Sequence, residues 1–419
     1  MNDRNKRVYF IINLLFIIFD IFINMNVAIS QTSFHSYKSI FTGSAPDIVT
    51  VGDINNDGRD DVIMVTSYYF DEENDFKLFV FYSNQDGTIS SFRKYVTSIG
   101  YNFRGSSVDT GDVNGDGLVD IVIGIERKGI EIFYQDKYGG LVTPSTKYYN
   151  TRSEKIRIGD INNDDLSDVV GIGYDWNSGD EGMVVYHQNL QGNLDQPVFY
   201  PLSIGNSLNT DLAIDDINND KLKDIIVLSG WIPQISIVYQ DLQGELNHFR
   251  SIPLDKQANP QGLAIGDLNN DNLNDISLTY TGNGPGKSYV KILYQDIQGN
   301  FNTTYKISSY EIPKPISIAD VNNDGLQDII VLHDAWSTMG IYYQNHDDTF
   351  SSEVLFSTPS HKPFNNQSLA TGYLNNDNLI DVVLPIKKNS PVDDAGIAIF
   401  YNFTDFKYPL SWIPLLLSN

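Results

Sequence analysis

Seven copies of one nine-residue acidic stretch constrain this chain more than any other feature. The first is DINNDGRDD at Asp53–Asp61. It is followed by DVNGDGLVD (Asp112–Asp120), DINNDDLSD (Asp160–Asp168) and DINNDKLKD (Asp216–Asp224). DLNNDNLND (Asp267–Asp275), DVNNDGLQD (Asp320–Asp328) and YLNNDNLID (Tyr373–Asp381) complete the set. Successive copies start 48 to 59 residues apart. Self-similarity at a near-constant period means one structural unit repeated seven times.

Each unit has the same anatomy. A short apolar run precedes the acidic stretch, as in PDIVTVG and KPISIA, and a second follows it, as in DVIMV and DIIVLS. Runs this short, rich in Val and Ile and ended by turn residues, read as strands. The second run is apolar at nearly every position, as expected of a strand covered on both faces. A third strand ends in Tyr-Gln-Asp or a relative (IEIFYQD, ISIVYQD, VKILYQD), and its turn leads into a fourth such as NHFRSIPL. We name the four strands A to D. Units of this size and strand count predict an all-β, seven-bladed β-propeller of four-stranded antiparallel blades. The repeats start near 45, 104, 152, 208, 259, 312 and 365, so residues 31–419 form one domain. Ring closure needs one more outer strand. Residues 33–41, including FHSYKSI, are expected to supply it, and the C-terminal FKYPLSWIP is the rival.

In the acidic stretches, positions 1, 3, 5 and 9 offer side-chain oxygens. Position 6 permits a sharp turn, and position 7 can turn its carbonyl inward. The candidate ligands are Asp53, Asn55, Asp57, Arg59 and Asp61 in the first stretch, and Asp112, Asn114, Asp116, Leu118 and Asp120 in the second. The third and fourth supply Asp160, Asn162, Asp164, Leu166 and Asp168, and Asp216, Asn218, Asp220, Leu222 and Asp224. The fifth and sixth supply Asp267, Asn269, Asp271, Leu273 and Asp275, and Asp320, Asn322, Asp324, Leu326 and Asp328. An all-oxygen set without His or Cys suits a hard cation, so about six Ca2+ ions are expected. This is not an EF-hand, because Met64 and Val331 stand where position 12 needs Glu. An Asx turn without metal explains Asp at position 1 or 5, but not three carboxylates converging in each of six loops. Asp165, Lys221 and Asn272 replace the position-6 glycine of the first, second and sixth copies, and Lys pays most for a left-handed backbone. Tyr373 replaces the first Asp of the seventh copy, where weak or absent binding is expected.

The chain has 419 residues, a formal charge of -25 and no Cys. That balance excludes nucleic-acid phosphate as a partner. Residues 1–30 read as a signal peptide: Arg4, Lys6 and Arg7, then an apolar run from Val8 to Ile23, then small residues before Gln31. A secreted, extracellular protein with no span after cleavage follows. The alternative is an uncleaved anchor, which Asp20 inside the run disfavours. The sequons at Asn302, Asn366 and Asn402 matter only in a eukaryote.

The loop pattern between two strands, seven times over, resembles the FG-GAP repeats of integrin α-subunit N-terminal propellers and the related VCBS-type repeats of secreted proteins. The resemblance covers about Ala45 to Asn402. It implies calcium in the A–B loops and ligand binding on the opposite face, and it points to adhesion or carbohydrate binding. Fungal lectins with similar calcium-bearing propellers bind sugars between blades.

Strand alternation puts the A–B loops and C–D turns on one face, and the B–C and D–A loops on the other. Trp176, Trp231 and Trp336 follow strand B in three blades, Tyr69 stands in the corresponding place in blade 1, and Tyr280 lies near it in blade 5. Asp175, Asn177, Asp334 and Asn283 neighbour them. Flat aromatics beside Asp and Asn suit sugar rings or a protein surface, although each could instead cover its own blade's core. A monomeric binding module for glycan or extracellular protein is expected. The alternative is a secreted carbohydrate enzyme such as a polysaccharide lyase. It would need an acid/base constellation, and only His333, beside Asp334 and near Trp336, is placed to be tested.

Overall fold

In the computed structural model, the strands form seven four-stranded antiparallel sheets around one ring, a seven-bladed β-propeller. No helix occurs among the described residues. The structure describes residues 33–403 apart from 35, 45, 67–76, 99–104, 126–127, 144, 150–152, 154, 175–178, 205–209, 231, 256–258, 283–285, 335–336, 360–366 and 387–394.

Blade 4 shows the plan. Strand A (Thr210–Asp215), strand B (Asp224–Ser229), strand C (Gln234–Tyr239) and strand D (His248–Pro253) pair in sequence order. Strand B is buried at every position, as it is in blades 1, 2, 6 and 7. Its Val and Ile side chains point alternately to the two faces of the sheet, and each face meets a neighbouring blade. Strand D is half exposed, with only alternate residues turned inward. It lies at the rim, where one face meets solvent.

The core is therefore divided into wedges between consecutive blades. Ile48, Ile63, Val65, Leu78 and Val80 of blade 1 pack on Val108, Ile121, Ile123 and Ile125 of blade 2. Six more clusters continue around the ring. The wedge that closes the ring joins Val62, Met64, Phe79 and Phe81 of blade 1 to Val383, Ile397 and Ile399 of blade 7.

Blade 7 takes its outer strand from the other end of the chain. Lys38–Phe41 pairs with Gly396–Ile399, in the register Lys38 to Ile399 and Phe41 to Gly396. A second short ladder joins Ser33–Phe34 to Asn402–Phe403. Phe34 packs edge-on against Phe400 of blade 7 and Phe356 of blade 6. The chain ends thus hold each other by backbone hydrogen bonds and leave that edge paired. FKYPLSWIP and the signal-peptide reading of residues 1–30 lie outside the described residues.

Candidate metal loops and the two faces of the ring

Each A–B loop is built by its own carboxylates. In blade 4, Asp216 Oδ1 accepts from the Asp220 N–H at 3.2 Å, and Asp216 Oδ2 from the Lys221 N–H at 2.8 Å. Asn218 Oδ1 also accepts from the Asp220 N–H, and its amide donates to Asp220 Oδ2 at 3.0 Å. Asp220 Oδ1 accepts from the Leu222 N–H. The loops at Asp160, Asp267 and Asp320 repeat this network. These are nested Asx turns, the local chemistry Asp and Asn bring to any sharp bend.

Two residues in each of the first six loops, and one in the seventh, adopt left-handed backbone. At position 6 they are Gly58, Gly117, Asp165, Lys221, Asn272, Gly325 and Asn378. At position 4 they are Asn56, Gly115, Asn163, Asn219, Asn270 and Asn323. This second requirement explains the recurrent Asn-Asn pair: the first Asn supplies an amide, and the second tolerates positive φ. Lys221 takes the left-handed conformation at φ 74° despite its side chain.

Position 9 has a different role. Asp61, Asp120, Asp168, Asp224, Asp275, Asp328 and Asp381 are completely buried. Asp224 Oδ2 accepts from the Ile217 N–H at 3.2 Å, and Oδ1 from the Gln240 N–H at 3.0 Å. One carboxylate thus ties the loop's start to the end of strand C, and the other six blades do the same. Burial pushes the carboxyls of Asp61, Asp120, Asp224, Asp275 and Asp381 up to about 7, and that of Asp328 to about 8. The N–H donors oppose this rise, and the position-5 carboxylates nearby add to it. In blade 3, His187 Nδ1 lies 3.3 Å from Asp168 Oδ2, and that contact raises the histidine's pKa.

Three carboxylates and an amide oxygen make an oxygen-only, acidic donor set that fits a hard cation. In the first loop, Asn55 Oδ1 is buried without a hydrogen-bond partner, an oxygen free for such an ion. Among the described residues no three acidic or histidine side chains already enclose a common point. Their oxygens are engaged by the loop's own N–H groups. Two loops differ from the rest. Arg59, expected to offer only its carbonyl, also pairs its guanidinium with Asp57. In the seventh, which has Tyr373 in place of the first Asp, the Tyr373 N–H donates to Asp60 Oδ2 of blade 1 at 2.8 Å.

Neighbouring blades complete these loops, which local sequence patterns do not reveal. The Gln of the Tyr-Gln-Asp motif reaches back: Gln135 Nε2 donates to the Asp53 carbonyl, and Gln240 Nε2 to the Asp160 carbonyl, both at 3.3 Å. Asn402 makes the corresponding bond to Val321 at 2.6 Å. The glycine of the next C–D turn then lies on the loop. A Cβ on Gly192 would stand 2.4 Å from the Asn114 carbonyl oxygen, and one on Gly244 2.0 Å from that of Asn162. Both glycines also have positive φ, 73° and 76°. Gly244→Ala is therefore expected to cost about 3 kcal/mol or more, by strain and clash together. Gly58→Ala, at φ 85° with open space around it, should cost only about 1–2 kcal/mol. Urea midpoints of the two variants check the ordering; equal losses would contradict the cross-blade contact.

The family comparison can be set beside this geometry. FG-GAP-like repeats match residues 53–123, 267–331 and 320–384. This chain is an FG-GAP-repeat β-propeller. Among solved structures, the FG-GAP propeller is similar to an Agrocybe aegerita lectin described as recognising non-reducing terminal N-acetylglucosamine. The two share 15% identity, with 77% of this chain and 81% of that chain covered and a TM-score of 0.54. It is also similar to a Lactobacillus plantarum protein, at 11% identity, 76% and 87% coverage and a TM-score of 0.53. At these identities the likeness is one of fold. No curated protein matches the chain.

Of the residues expected on the opposite face, Tyr69, Asp175, Trp176, Asn177, Trp231, Asn283 and Trp336 lie outside the described residues. The strands that Trp176, Trp231 and Trp336 follow, Asp168–Tyr174, Asp224–Ser229 and Asp328–His333, run from the loop face to this one. Tyr280 is a correction. It is buried in the wedge between blades 4 and 5 and stacks on Tyr289 at 4.6 Å between ring centroids, so it presents no ring to a ligand. It belongs to the all-buried run of strand B and does not reach the loop tip. Asp334 is paired with Lys314.

His333 is completely buried. Its Nε2 meets Glu353 at 2.8 Å and its Nδ1 the Glu311 carbonyl at 3.1 Å, with Tyr310 edge-on against the ring. A substrate has no path to that imidazole. Gly340 makes room for Glu353, since a Cβ there would lie 2.1 Å from the carboxylate.

The axis of the FG-GAP propeller holds a cavity of about 230 Å³ lined by the inner strands. Arg157 of blade 3 enters it between Asp109 of blade 2 and Asp211 of blade 4, with Asp211 at 3.9 Å. Gln367 bonds Ser107 Oγ at 2.7 Å and both backbone groups of Val108. Asp211 and Asp109 each also accept from the next blade's strand A, at the Leu263 and Ile158 N–H groups. These polar groups are satisfied by the ring itself and join its inner strands.

Proposed function

We propose that the protein is a secreted, calcium-stabilised binding module whose ligand is a glycan, held on the face opposite the acidic loops. The observation that carries the calcium part is the set of six loops with carboxylates at positions 1, 5 and 9. In each the ninth carboxylate is buried, beside two others that a cation would neutralise. The cation would be held by Asp53, Asn55, Asp57 and Asp61 and their counterparts, and would supply charge neutralisation and loop rigidity. The loop face is then structural, and the other face is free for recognition. Three of the chain's four Trp follow strands ending there, and the similar fold of the N-acetylglucosamine-recognising lectin shows that a ring of this kind can carry a sugar site.

The test is a glycan array probed with the full chain in calcium and after chelation. Binding to a defined sugar class, weakened at least about tenfold in Trp176→Ala, Trp231→Ala or Trp336→Ala with the fold intact, supports the reading. Silence across the array in calcium overturns the glycan assignment. Release of unsaturated sugars from a polysaccharide would replace it with the lyase reading.

A further inference from the structure

The C–D turns carry a feature that neither the cation loops nor the recognition face uses. Four consecutive blades end strand C in a tight turn whose tip is a large apolar side chain held out in solvent. Tyr138, Leu190, Leu242 and Ile297 are 85%, 88%, 76% and 85% exposed. Every other exposed large hydrophobic among the described residues is at most 69% exposed. Apolar residues scattered singly over a surface need no explanation. These four are not scattered: they occupy the same turn in four adjacent blades, Leu190, Leu242 and Ile297 one residue after the turn's first Asp or Asn and Tyr138 two residues after it, and lie on one face.

The turns do not require apolar tips. Blade 1 has Gln85 and blade 6 has His346 in the corresponding place. The tips are also rigid. In blade 4 the Gly244 N–H closes on the Asp241 carbonyl at 2.8 Å, and Asp241 Oδ1 accepts from the Gln243 N–H at 2.9 Å. Blades 2, 3 and 5 repeat both bonds. Leu242 therefore stands on a backbone fixed by these bonds, with its side chain in solvent. The turn glycines Gly139, Gly192 and Gly244 lie against Asn55, Asn114 and Asn162. The apolar tips of blades 2 to 4 thus stand directly beside the acidic loops of blades 1 to 3.

We propose that this face docks peripherally on the interfacial layer of a phospholipid bilayer when divalent cation is present. Strands C all run toward the loop face, so one plane can meet the four tips together. Polar turn residues separate the tips, so there is no continuous apolar patch of the kind a protein partner packs against. A bilayer is planar and deformable and takes separate side chains into its headgroup region one by one. Tyr138 suits that depth, and Lys137, whose ammonium lies 5.1 Å from the Tyr138 ring centroid, suits the phosphates. The surrounding carboxylates repel phosphate until a cation neutralises them. This dependence rests on the calcium reading above.

The experiment is co-sedimentation of the full chain with vesicles of phosphatidylcholine, with and without phosphatidylserine, in calcium or in chelator, alongside a melting curve in each buffer. The expected result is pelleting with vesicles in calcium, released by chelator. The triple variant Leu190→Asp, Leu242→Asp, Ile297→Asp should lose at least about tenfold in vesicle affinity while melting like the wild type. If calcium raises the melting temperature but the wild type stays in the supernatant with both vesicle types, the membrane inference fails and the calcium reading stands. If calcium changes neither, both fail. A wild type that dimerises without vesicles, with a monomeric triple variant, would assign the tips to self-contact and overturn the inference.

Discussion

Stripped of divalent cations, the protein should melt at a higher temperature at pH 5 than at pH 8, and calcium should reverse that order. Asp61, Asp120, Asp224, Asp275 and Asp381 have folded-state pKa values raised to about 7, and Asp328 to about 8, mainly by burial. An unfolded Asp titrates near 3.9. Between these values the folded chain binds more protons than the unfolded one, so stability falls as pH rises from about 4 to about 8. Above that window these six carboxylates are charged and the metal-free fold is weakest. Calcium needs the ionised form. At pH 8 it should stabilise by about 2.7 kcal/mol per site at one hundred times its Kd, and protons should displace it as the pH falls. General repulsion in a chain of charge -25 acts in the same direction. The difference should therefore be read at high salt, which screens exposed charges but not buried ones. Metal-free protein that melts no lower at pH 8 than at pH 5 would contradict the burial argument. A melting temperature at pH 8 indifferent to calcium would contradict the cation loops.

Within one loop, two substitutions should separate scaffold from cation seat. Asp224→Ala leaves the Ile217 and Gln240 N–H groups buried without acceptors. At about 1–3 kcal/mol for each orphaned donor, the loss should be about 2–5 kcal/mol with or without calcium. Asp220→Ala removes an exposed carboxylate that accepts from the Leu222 N–H and the Asn218 amide. In metal-free buffer that should cost only about 1 kcal/mol, but the variant should bind one calcium fewer by titration calorimetry. Equal losses in chelator would mean that position 9 has no special structural role.

The acidic repeat was readable because its chemistry is local. An Asp whose carboxylate closes on N–H groups four and five residues ahead needs nothing from elsewhere in the chain, and a strand covered on both faces shows as an unbroken apolar run. Seven loops and seven such runs predicted seven blades, and the structure has seven four-stranded sheets. Tyr280 was misplaced for a related reason. The sequence places it near the end of its strand, but whether that end faces solvent depends on the neighbour that covers it, here Tyr289 on the adjacent strand. The same holds for His333, whose burial depends on Glu353 and on Tyr310 at the end of blade 5.

What the chain determines by itself is the repeated unit: its turns, its left-handed Asn and Gly positions, its alternating strands and its charge. The tertiary structure alone decides how the units complete one another. Gln135 bonds Asp53, only glycine fits at position 244 because the Asn162 carbonyl lies against it, and Asp109, Arg157 and Asp211 meet at the axis. These contacts join residues tens of positions apart in different blades. They carry no short-range pattern, and they come into being only when the ring closes.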